Sequence, residues 1–103
     1  MRPIHIVQLD KARPALILTR AVIRPHLEHV TVAPITSRVR GGFTEIPVGP
    51  ANGLDQECVV SLDNIQTVPV SMLGRLIGML KDDQEHELTT AISRAFDLAD
   101  GVP

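Results

Sequence analysis

The sequence predicts a mainly β protein with one C-terminal helix, and three features of the chain support this fold class. Short apolar runs rich in valine, isoleucine and threonine recur at close intervals between residues 4 and 80. Glycine, proline, asparagine and aspartate cluster between these runs, and such residues favour turns. From residue 82 onward, the apolar residues instead recur with the period of a helix. We therefore expect a small barrel or a curled sheet, with a helix after it.

The length and composition are typical of one folded domain. The chain has 103 residues, of which 44% are hydrophobic and 21% are charged, and we expect a single domain over residues 1–103. No apolar run approaches the roughly 20 residues that a membrane-spanning helix requires. The first residues also lack the apolar segment of a signal peptide. We therefore predict a cytoplasmic protein that does not associate with a membrane.

The first three strands follow from their apolar patterns. Residues 4–9 alternate between apolar and polar side chains, which predicts a half-buried strand at an edge of the sheet. Residues 15–19 form a continuous apolar run that is typical of a central strand, and Pro14 stands at its start, where a missing N–H is tolerated. Residues 29–35 predict the next strand, and the connection over residues 20–28 favours antiparallel pairing with the strand before it.

The rest of the chain predicts four more strands and the helix. The strands are expected at residues 43–48, 57–62, 65–68 and 75–80. Residues 37–42 form a basic loop that ends in a glycine pair. We expect the helix to begin at Asp82, as its N-cap, with Glu85 three residues later as in a capping box. One face of this helix is apolar and carries Leu88, Ala91, Ile92, Ala95 and Phe96.

Charge is distributed unevenly along the chain. Residues 1–40 carry a formal charge of +5 and residues 41–103 carry −7, although the net charge of the chain is only −2. Such a split favours one surface that binds a polyanion. The alternative is that these charges are scattered over a solvated surface.

The sequence contains no motif of the common enzyme classes. It has no glycine-rich phosphate loop, no nucleophile elbow and no HExxH pattern. His26 and His29 are three residues apart, but no cysteine lies near them, so we predict no metal site and no cofactor. The single cysteine, Cys58, lies in an apolar strand pattern, and we expect it in the hydrophobic core.

Arg13 and Thr36 are the candidate site residues that the strand pattern brings together. They lie at the ends of two strands that we expect to pair, so their side chains can converge on one phosphate. A guanidinium presents a planar fork of donors that matches a phosphate, and a threonine hydroxyl adds a neutral donor. In the alternative interpretation, which the residue types alone favour, Arg13 pairs with Asp10 in a turn and Thr36 only ends a strand.

The chain resembles a family of known proteins in four segments. They are RPALIL at residues 13–18, VAPITS at residues 32–37, DNIQTV at residues 63–68 and LGRLIGML at residues 73–80. These segments follow one another, before a last helix, as in the MazF/PemK family of toxin endoribonucleases, the ribosome-independent mRNA interferases of type II toxin–antitoxin modules. The resemblance covers nearly the whole chain.

The resemblance implies an SH3-like β-barrel, which is a strongly twisted antiparallel sheet with a C-terminal helix. It also implies a homodimer that a cognate antitoxin neutralises. It also implies a sequence-specific, metal-independent endoribonuclease that cleaves single-stranded RNA, in mRNA, tRNA or rRNA, and thereby inhibits translation and growth. In that reaction the ribose 2′-hydroxyl attacks the adjacent phosphorus, which leaves a 2′,3′-cyclic phosphate and a 5′-hydroxyl.

The same resemblance assigns roles to individual residues. Arg13 matches the family's catalytic arginine and Thr36 its catalytic threonine. A guanidinium stabilises phosphoryl charge and can give a proton, but it is an awkward base, so the general base stays unassigned. The residues expected to bind RNA are Lys11, Ser37, Arg38, Arg40, Asn64 and Gln66. Among these, the two arginines would follow the backbone and the two amides would meet base edges.

Two other functions are compatible with a small barrel. A gyrase-binding toxin of the CcdB type has no nuclease activity, but that family relies on a C-terminal tryptophan, and this chain has no tryptophan. An SH3-like module binds proline-rich ligands through aromatic grooves, and only 2% of the residues here are aromatic. The gyrase-binding toxin is therefore the alternative to the endoribonuclease.

Overall fold

The computed structural model describes residues 2–21 and 24–98, and within these ranges it has seven strands and one α-helix. The strands are β1 (Arg2–Gln8), β2 (Ala12–Ile17), β3 (His29–Thr36), β4 (Glu45–Val48), β5 (Cys58–Ser61), β6 (Gln66–Pro69) and β7 (Leu73–Leu80), and the helix is α1 (Asp82–Ala95). Residues 22–23 of the predicted connection lie outside the described ranges. The mainly β class with a C-terminal helix is confirmed. No described helix is long and apolar enough to cross a membrane.

The strands form one curled antiparallel sheet in the order β4-β5-β3-β2-β1-β7. β3 pairs with β2 along one edge, and its other edge is shared by two strands. β6 occupies residues 29–32 of that edge, and β5 occupies Ile35 and Thr36. Since β3 has partners on both edges and is buried along most of its length, it is the central strand of the sheet.

The prediction that β1 lies at an edge of the sheet is wrong. β2 pairs with one of its edges, and β7 pairs with the other, from Arg2 opposite Leu80 to Val7 opposite Leu73. Irregular pairing with β7 changes the register along β1. The alternating sequence of β1 therefore indicates two faces of different composition, and not a free edge. The second partner strand of β1, β7, comes from a distant part of the chain.

The two faces of the curled sheet carry two separate hydrophobic clusters. The larger cluster includes Ile4, Leu16, Ala33 and Ile35, and the predicted helix face adds Leu88 and Ala91, with Ile92 and Ala95 packed against it. The smaller cluster consists of Val7, Ala15, Ile17, Val30, Val32 and Val68. Side chains alternate along a strand, so adjacent residues of β2 and β3 belong to different clusters. Phe96, predicted on the helix face, follows the helix and is 57% exposed.

The N-cap of α1 is Lys81 and not Asp82, so the predicted capping box is wrong by one residue. The side chain of Gln84 accepts a hydrogen bond from the Lys81 N–H at 2.9 Å. Glu85, the predicted partner, instead pairs with Arg2, whose Nε lies 3.1 Å from Glu85 Oε2. The first turn of the helix is therefore stabilised by the hydrogen bond from Lys81 to Gln84, and the Arg2–Glu85 ion pair connects it to the start of β1.

A buried polar network joins α1 to the sheet. Asn52, in the turn after β4, is 2% exposed. Its Nδ2 donates to the Met79 carbonyl at 3.0 Å and to Gln84 Oε1 at 2.7 Å, and its Oδ1 accepts from the Gly49 N–H at 3.1 Å. A Cβ atom on Gly78 would collide with the Asn52 carbonyl oxygen. The turn therefore lies directly against the backbone of β7, and glycine is needed there.

We predict that Asn52→Ala lowers the free energy of unfolding by about 2–3 kcal/mol, because buried polar groups lose their partners. In a domain of this size, each kcal/mol corresponds to a fall in Tm of about 4–8 °C. Thermal denaturation followed by circular dichroism measures this change. Asn64→Ala is the matched control, since Asn64 is exposed and bonds to Ser61. Identical melting curves for the two variants would contradict the structural role of Asn52.

Candidate active site

Arg13 and Thr36 lie opposite each other at the ends of β2 and β3. The ladder between these strands pairs Ala15 with Pro34, and the same register continued by two residues places Arg13 opposite Thr36. Since side chains alternate, Arg13 shares a face with Ala15, and Thr36 shares that face with Pro34. Both side chains therefore extend the face of the sheet that carries the smaller hydrophobic cluster.

β2 begins three residues earlier than the sequence predicts. Ala12 and Arg13 already pair with Gln8 and Val7 of β1. Pro14, expected at the start of the strand, lies inside it, and it restricts Arg13 to an extended conformation. Arg13 is therefore held by a strand and not by a turn, which fixes the direction of its side chain.

The guanidinium of Arg13 is held by one carboxylate. Its Nη2 donates to Asp10 Oδ2 at 2.9 Å, which is the pairing expected in the alternative interpretation. The side chain of Arg13 is 24% exposed, whereas that of Asp10 is 72% exposed. Arg13 Nε is buried and has no partner among the described residues. The pairing therefore orients the guanidinium and leaves part of its donor fork unused.

The hydroxyl of Thr36 can still donate a hydrogen bond. Its Oγ1 accepts a hydrogen bond from the backbone N–H of Arg38 at 3.1 Å. Because the N–H is the donor in that bond, the hydroxyl proton of Thr36 remains available to a second acceptor. The turn into the following loop thus fixes the position of this hydroxyl and keeps it able to donate.

A groove of about 730 Å³ opens over Arg13 and Thr36. Its lining includes all eight site residues predicted from the sequence, namely Lys11, Arg13, Thr36, Ser37, Arg38, Arg40, Asn64 and Gln66. Gln66 reaches it because β6 pairs Gln66 with Val32. Asn64 lies in the turn before β6, where its Nδ2 donates to Ser61 Oγ at 2.8 Å. The fold thus brings three separate stretches of sequence to one surface.

Three carboxylates also line the groove, and the sequence pattern predicted none of them as part of a binding surface. They are Asp10, Glu45 and Asp63. Glu45 accepts the backbone N–H groups of Arg40 at 3.3 Å and Gly41 at 2.9 Å. Asp63 Oδ2 accepts the hydroxyl of Thr44 at 2.6 Å. An acid that directly follows a glycine-rich loop is the signal that was missed, since the N–H groups of such a loop need acceptors.

The charge that the groove offers a ligand is positive. In residues 2–21 and 24–98, the side chains of Lys11, Arg38 and Arg40 form no ion pair, and all three are exposed. The carboxylates nearby are already bound to guanidinium, N–H or hydroxyl groups. The same ranges contain no group of three histidine, cysteine or acidic side chains arranged to hold a metal ion. The groove is therefore suited to a polyanion.

The chain matches known proteins along most of its length. Residues 6–96 match the family model described as the PemK-like, MazF-like toxin of type II toxin–antitoxin systems. Endoribonuclease MazF3 of Mycobacterium tuberculosis is 66% identical over 98 residues, which cover 95% of each chain.

Solved structures agree with this assignment. Mycobacterium tuberculosis toxin MazF-mt6 is 66% identical and matches with a TM-score of 0.93 over 94% of this chain and 98% of that one. A mycobacterial endoribonuclease in complex with its cognate antitoxin is 26% identical and matches with a TM-score of 0.83, over 93% and 92% of the two chains. The curled antiparallel half-barrel with a C-terminal helix is thus the fold of these toxins. The protein belongs to the MazF/PemK family of type II toxin–antitoxin toxins.

Proposed function

We propose that this protein is the toxin of a toxin–antitoxin pair and acts as a sequence-specific, metal-independent endoribonuclease on single-stranded RNA, in mRNA, tRNA or rRNA. The observation that carries the proposal is the meeting of Arg13 and Thr36 at two strand ends, in a groove with three exposed cations. The relative with 66% identity is named an endoribonuclease, which supports the same activity.

The geometry suits attack by a ribose 2′-hydroxyl on the adjacent phosphorus. That reaction removes a proton from the 2′-hydroxyl, develops negative charge on the phosphoryl oxygens and delivers a proton to the leaving 5′-oxygen, so that no net proton is consumed. Arg13 stabilises the charge with the donors that Asp10 leaves free, and it is placed to supply the proton. Thr36 donates a hydrogen bond from its hydroxyl to a phosphoryl oxygen. The products are a 2′,3′-cyclic phosphate and a 5′-hydroxyl.

The remaining groove residues bind the RNA on either side of the cleaved bond. The side chains of Lys11, Arg38 and Arg40 bind phosphates, since they are cationic and exposed. Ser37, Asn64 and Gln66 carry neutral polar groups that suit ribose and base edges.

The proposal also includes a cognate antitoxin, a homodimer, a cytoplasmic location and a single domain over residues 1–103. A mycobacterial relative was solved with its antitoxin, and the family model spans residues 6–96. On β7, the last strand of the sheet, Leu76 is 54% exposed, which supports burial of this strand against a second copy. The RNA substrate is found in the cytoplasm.

We predict that the purified protein cleaves single-stranded RNA in the presence of EDTA, because Arg13 supplies the charge stabilisation that a metal would otherwise provide. The 5′ fragment should end in a cyclic phosphate, which mass spectrometry of the products detects. Cleavage that requires an added divalent ion would contradict the mechanism. Absence of cleavage, together with inhibition of gyrase, would instead support the alternative of a gyrase-binding toxin.

We predict that Arg13→Lys and Thr36→Val each lower the cleavage rate by about 10²–10³, the cost of removing one preorganised donor. Lysine keeps the charge but loses the fork, and valine keeps the shape but loses the hydroxyl. Because both groups act on the same phosphate, the double variant should lose less than the product of the single losses.

The measurement is single-turnover cleavage of one labelled oligonucleotide, with Tm as the control for folding. Thr67→Val is a matched control, since Thr67 is also an exposed strand threonine but lies outside the groove. Wild-type rates and unchanged Tm values for both single variants would show that Arg13 and Thr36 only support the fold.

We predict that neutralising Arg38 and Arg40 together weakens RNA binding and lowers the slope of log K against log salt by about 1.4, since each phosphate contact to a single strand contributes about 0.7. Fluorescence anisotropy with a labelled oligonucleotide, at several salt concentrations, measures the slope. The matched control neutralises Arg20 and Arg75, which are exposed but lie outside the groove. An equal change in slope for both pairs would show that Arg38 and Arg40 affect RNA binding only as general surface charges.

A further inference from the structure

A second hollow borders the candidate active site on its other side. Its volume is about 240 Å³, and it shares Lys11, Arg13, Thr36 and Ser37 with the larger groove. Its remaining lining comes partly from Pro14 and Ile35, and mainly from the segment of residues 54–58 before β5. The shared residues therefore form a rim, with the groove on one side and the hollow on the other.

The alternation of side chains along β2 and β3 explains this arrangement. Arg13 and Thr36 point to the face of the smaller hydrophobic cluster, so their neighbours Pro14 and Ile35 point to the opposite face. Ile35 indeed belongs to the larger cluster. The groove and the hollow thus lie on opposite faces of the same sheet, and they meet where β2 begins and β3 ends. A phosphate bound at this rim has one neighbouring nucleotide over the groove and the other over the hollow.

The hollow has an apolar floor and polar groups beside it. Ile35 and Leu54 are buried, and Cys58 is partly buried and packs against the larger cluster, as predicted. The side chains of Asp55 and Gln56 are exposed and have no hydrogen-bond partner among the described residues. An apolar floor suits the ring of an unstacked base, and free polar groups suit its edge.

We infer that this hollow, which we call the base subsite, binds the nucleobase next to the cleaved phosphate and that Asp55 selects a base with an exocyclic amino group. The inference rests on the proposed function. A carboxylate only accepts hydrogen bonds, so it matches an exocyclic amine and opposes the carbonyl oxygens of uracil. Gln56 has both a donor and an acceptor, and it binds the same edge of the base.

The negative charge of Asp55 sharpens this selection. A carboxylate close to an RNA backbone repels every sequence, and only a base that donates a hydrogen bond to it offsets that repulsion. Replacing the carboxylate by a neutral amide therefore has opposite effects on two kinds of substrate. The kcat/KM for substrates with uracil in the base subsite rises, whereas the kcat/KM for substrates with an amino-bearing base does not.

The test uses oligonucleotides that differ only in the nucleotide before or after the cleaved bond. At one of these positions the wild type should prefer amino-bearing bases to uracil by about tenfold in kcat/KM, as one well-placed hydrogen-bond pair provides. Asp55→Asn should reduce this preference to about twofold or less, mainly through faster cleavage of the uracil substrate. Preferences at more distant positions should not change. Glu57→Gln is the matched control, since Glu57 is an exposed acid of the same segment outside the hollow.

The outcomes separate the subsite from the proposed function. Cleavage with a base preference that Asp55→Asn leaves intact would overturn the base subsite alone. Equal loss of preference in Glu57→Gln would also overturn it, because general charge would then explain the effect. A wild-type protein that cleaves none of the oligonucleotides would overturn the proposed function.

Cys58 gives a second readout that does not depend on activity, because it is the only cysteine in the chain. Burial raises the pKa of its thiol, and the charges of Glu57 and Asp55 raise it further, so alkylation with iodoacetamide is measured at mildly alkaline pH. An uncleavable analogue with a 2′-deoxynucleotide at the cleaved bond should slow the reaction at least fivefold. Two further analogues are shortened to the cleaved phosphate, one from each end. The analogue that lacks the nucleotide bound in the base subsite should no longer slow the alkylation of Cys58. Full-length analogue that binds without slowing alkylation would overturn the base subsite.

Discussion

The pairing of β3 along both edges is the constraint on which the candidate site depends. β2 holds one edge, while β6 and β5 divide the other, so the backbone of β3 is fixed along nearly its whole length. A slip of one residue would turn Thr36 to the opposite face and would also exchange the residues of the two hydrophobic clusters. The whole sheet therefore sets the position of Thr36 relative to Arg13. Preorganised catalysis requires this kind of support, because small displacements of the reacting groups cost large factors in rate.

The loop over residues 37–44 is positioned differently. Hydrogen bonds from side chains hold it, and not the backbone hydrogen bonds of a sheet. Glu45 binds its N–H groups at Arg40 and Gly41, and Asp63 binds the hydroxyl of Thr44. Two carboxylates in this groove oppose the binding of a polyanion, but their hydrogen bonds hold a loop that carries exposed arginines. The groove's lining still has a positive balance of charge, since its four basic side chains outnumber its three carboxylates.

The strand periods and the order of the family segments were enough to predict the fold class, the strands β2 and β3, and eight of the residues that line the groove. What they missed depends on contacts between distant parts of the chain. β1 is internal because β7 pairs with it, and no local pattern shows that pairing. Lys81 is the N-cap of α1, with its N–H bonded to Gln84, and Glu85, the predicted capping-box partner, is bound to Arg2 at the start of β1. Glu45 and Asp63 were missed because they act through a few individual hydrogen bonds, which leave no periodic trace in the sequence.

The position of the site at strand ends also explains why a single strand is the expected substrate. Arg13 and Thr36 lie on the rim between two faces of one sheet, and the short connection between β1 and β2 leaves that rim open. A chain that places its phosphate on the rim has to bend sharply to follow both faces. A duplex resists such bending, with a persistence length of about 150 base pairs for DNA, whereas single-stranded bases can be splayed apart and bound separately. The proposed preference for single-stranded RNA then follows from the shape of the sheet edge, and base-specific contacts are needed only to choose among sequences.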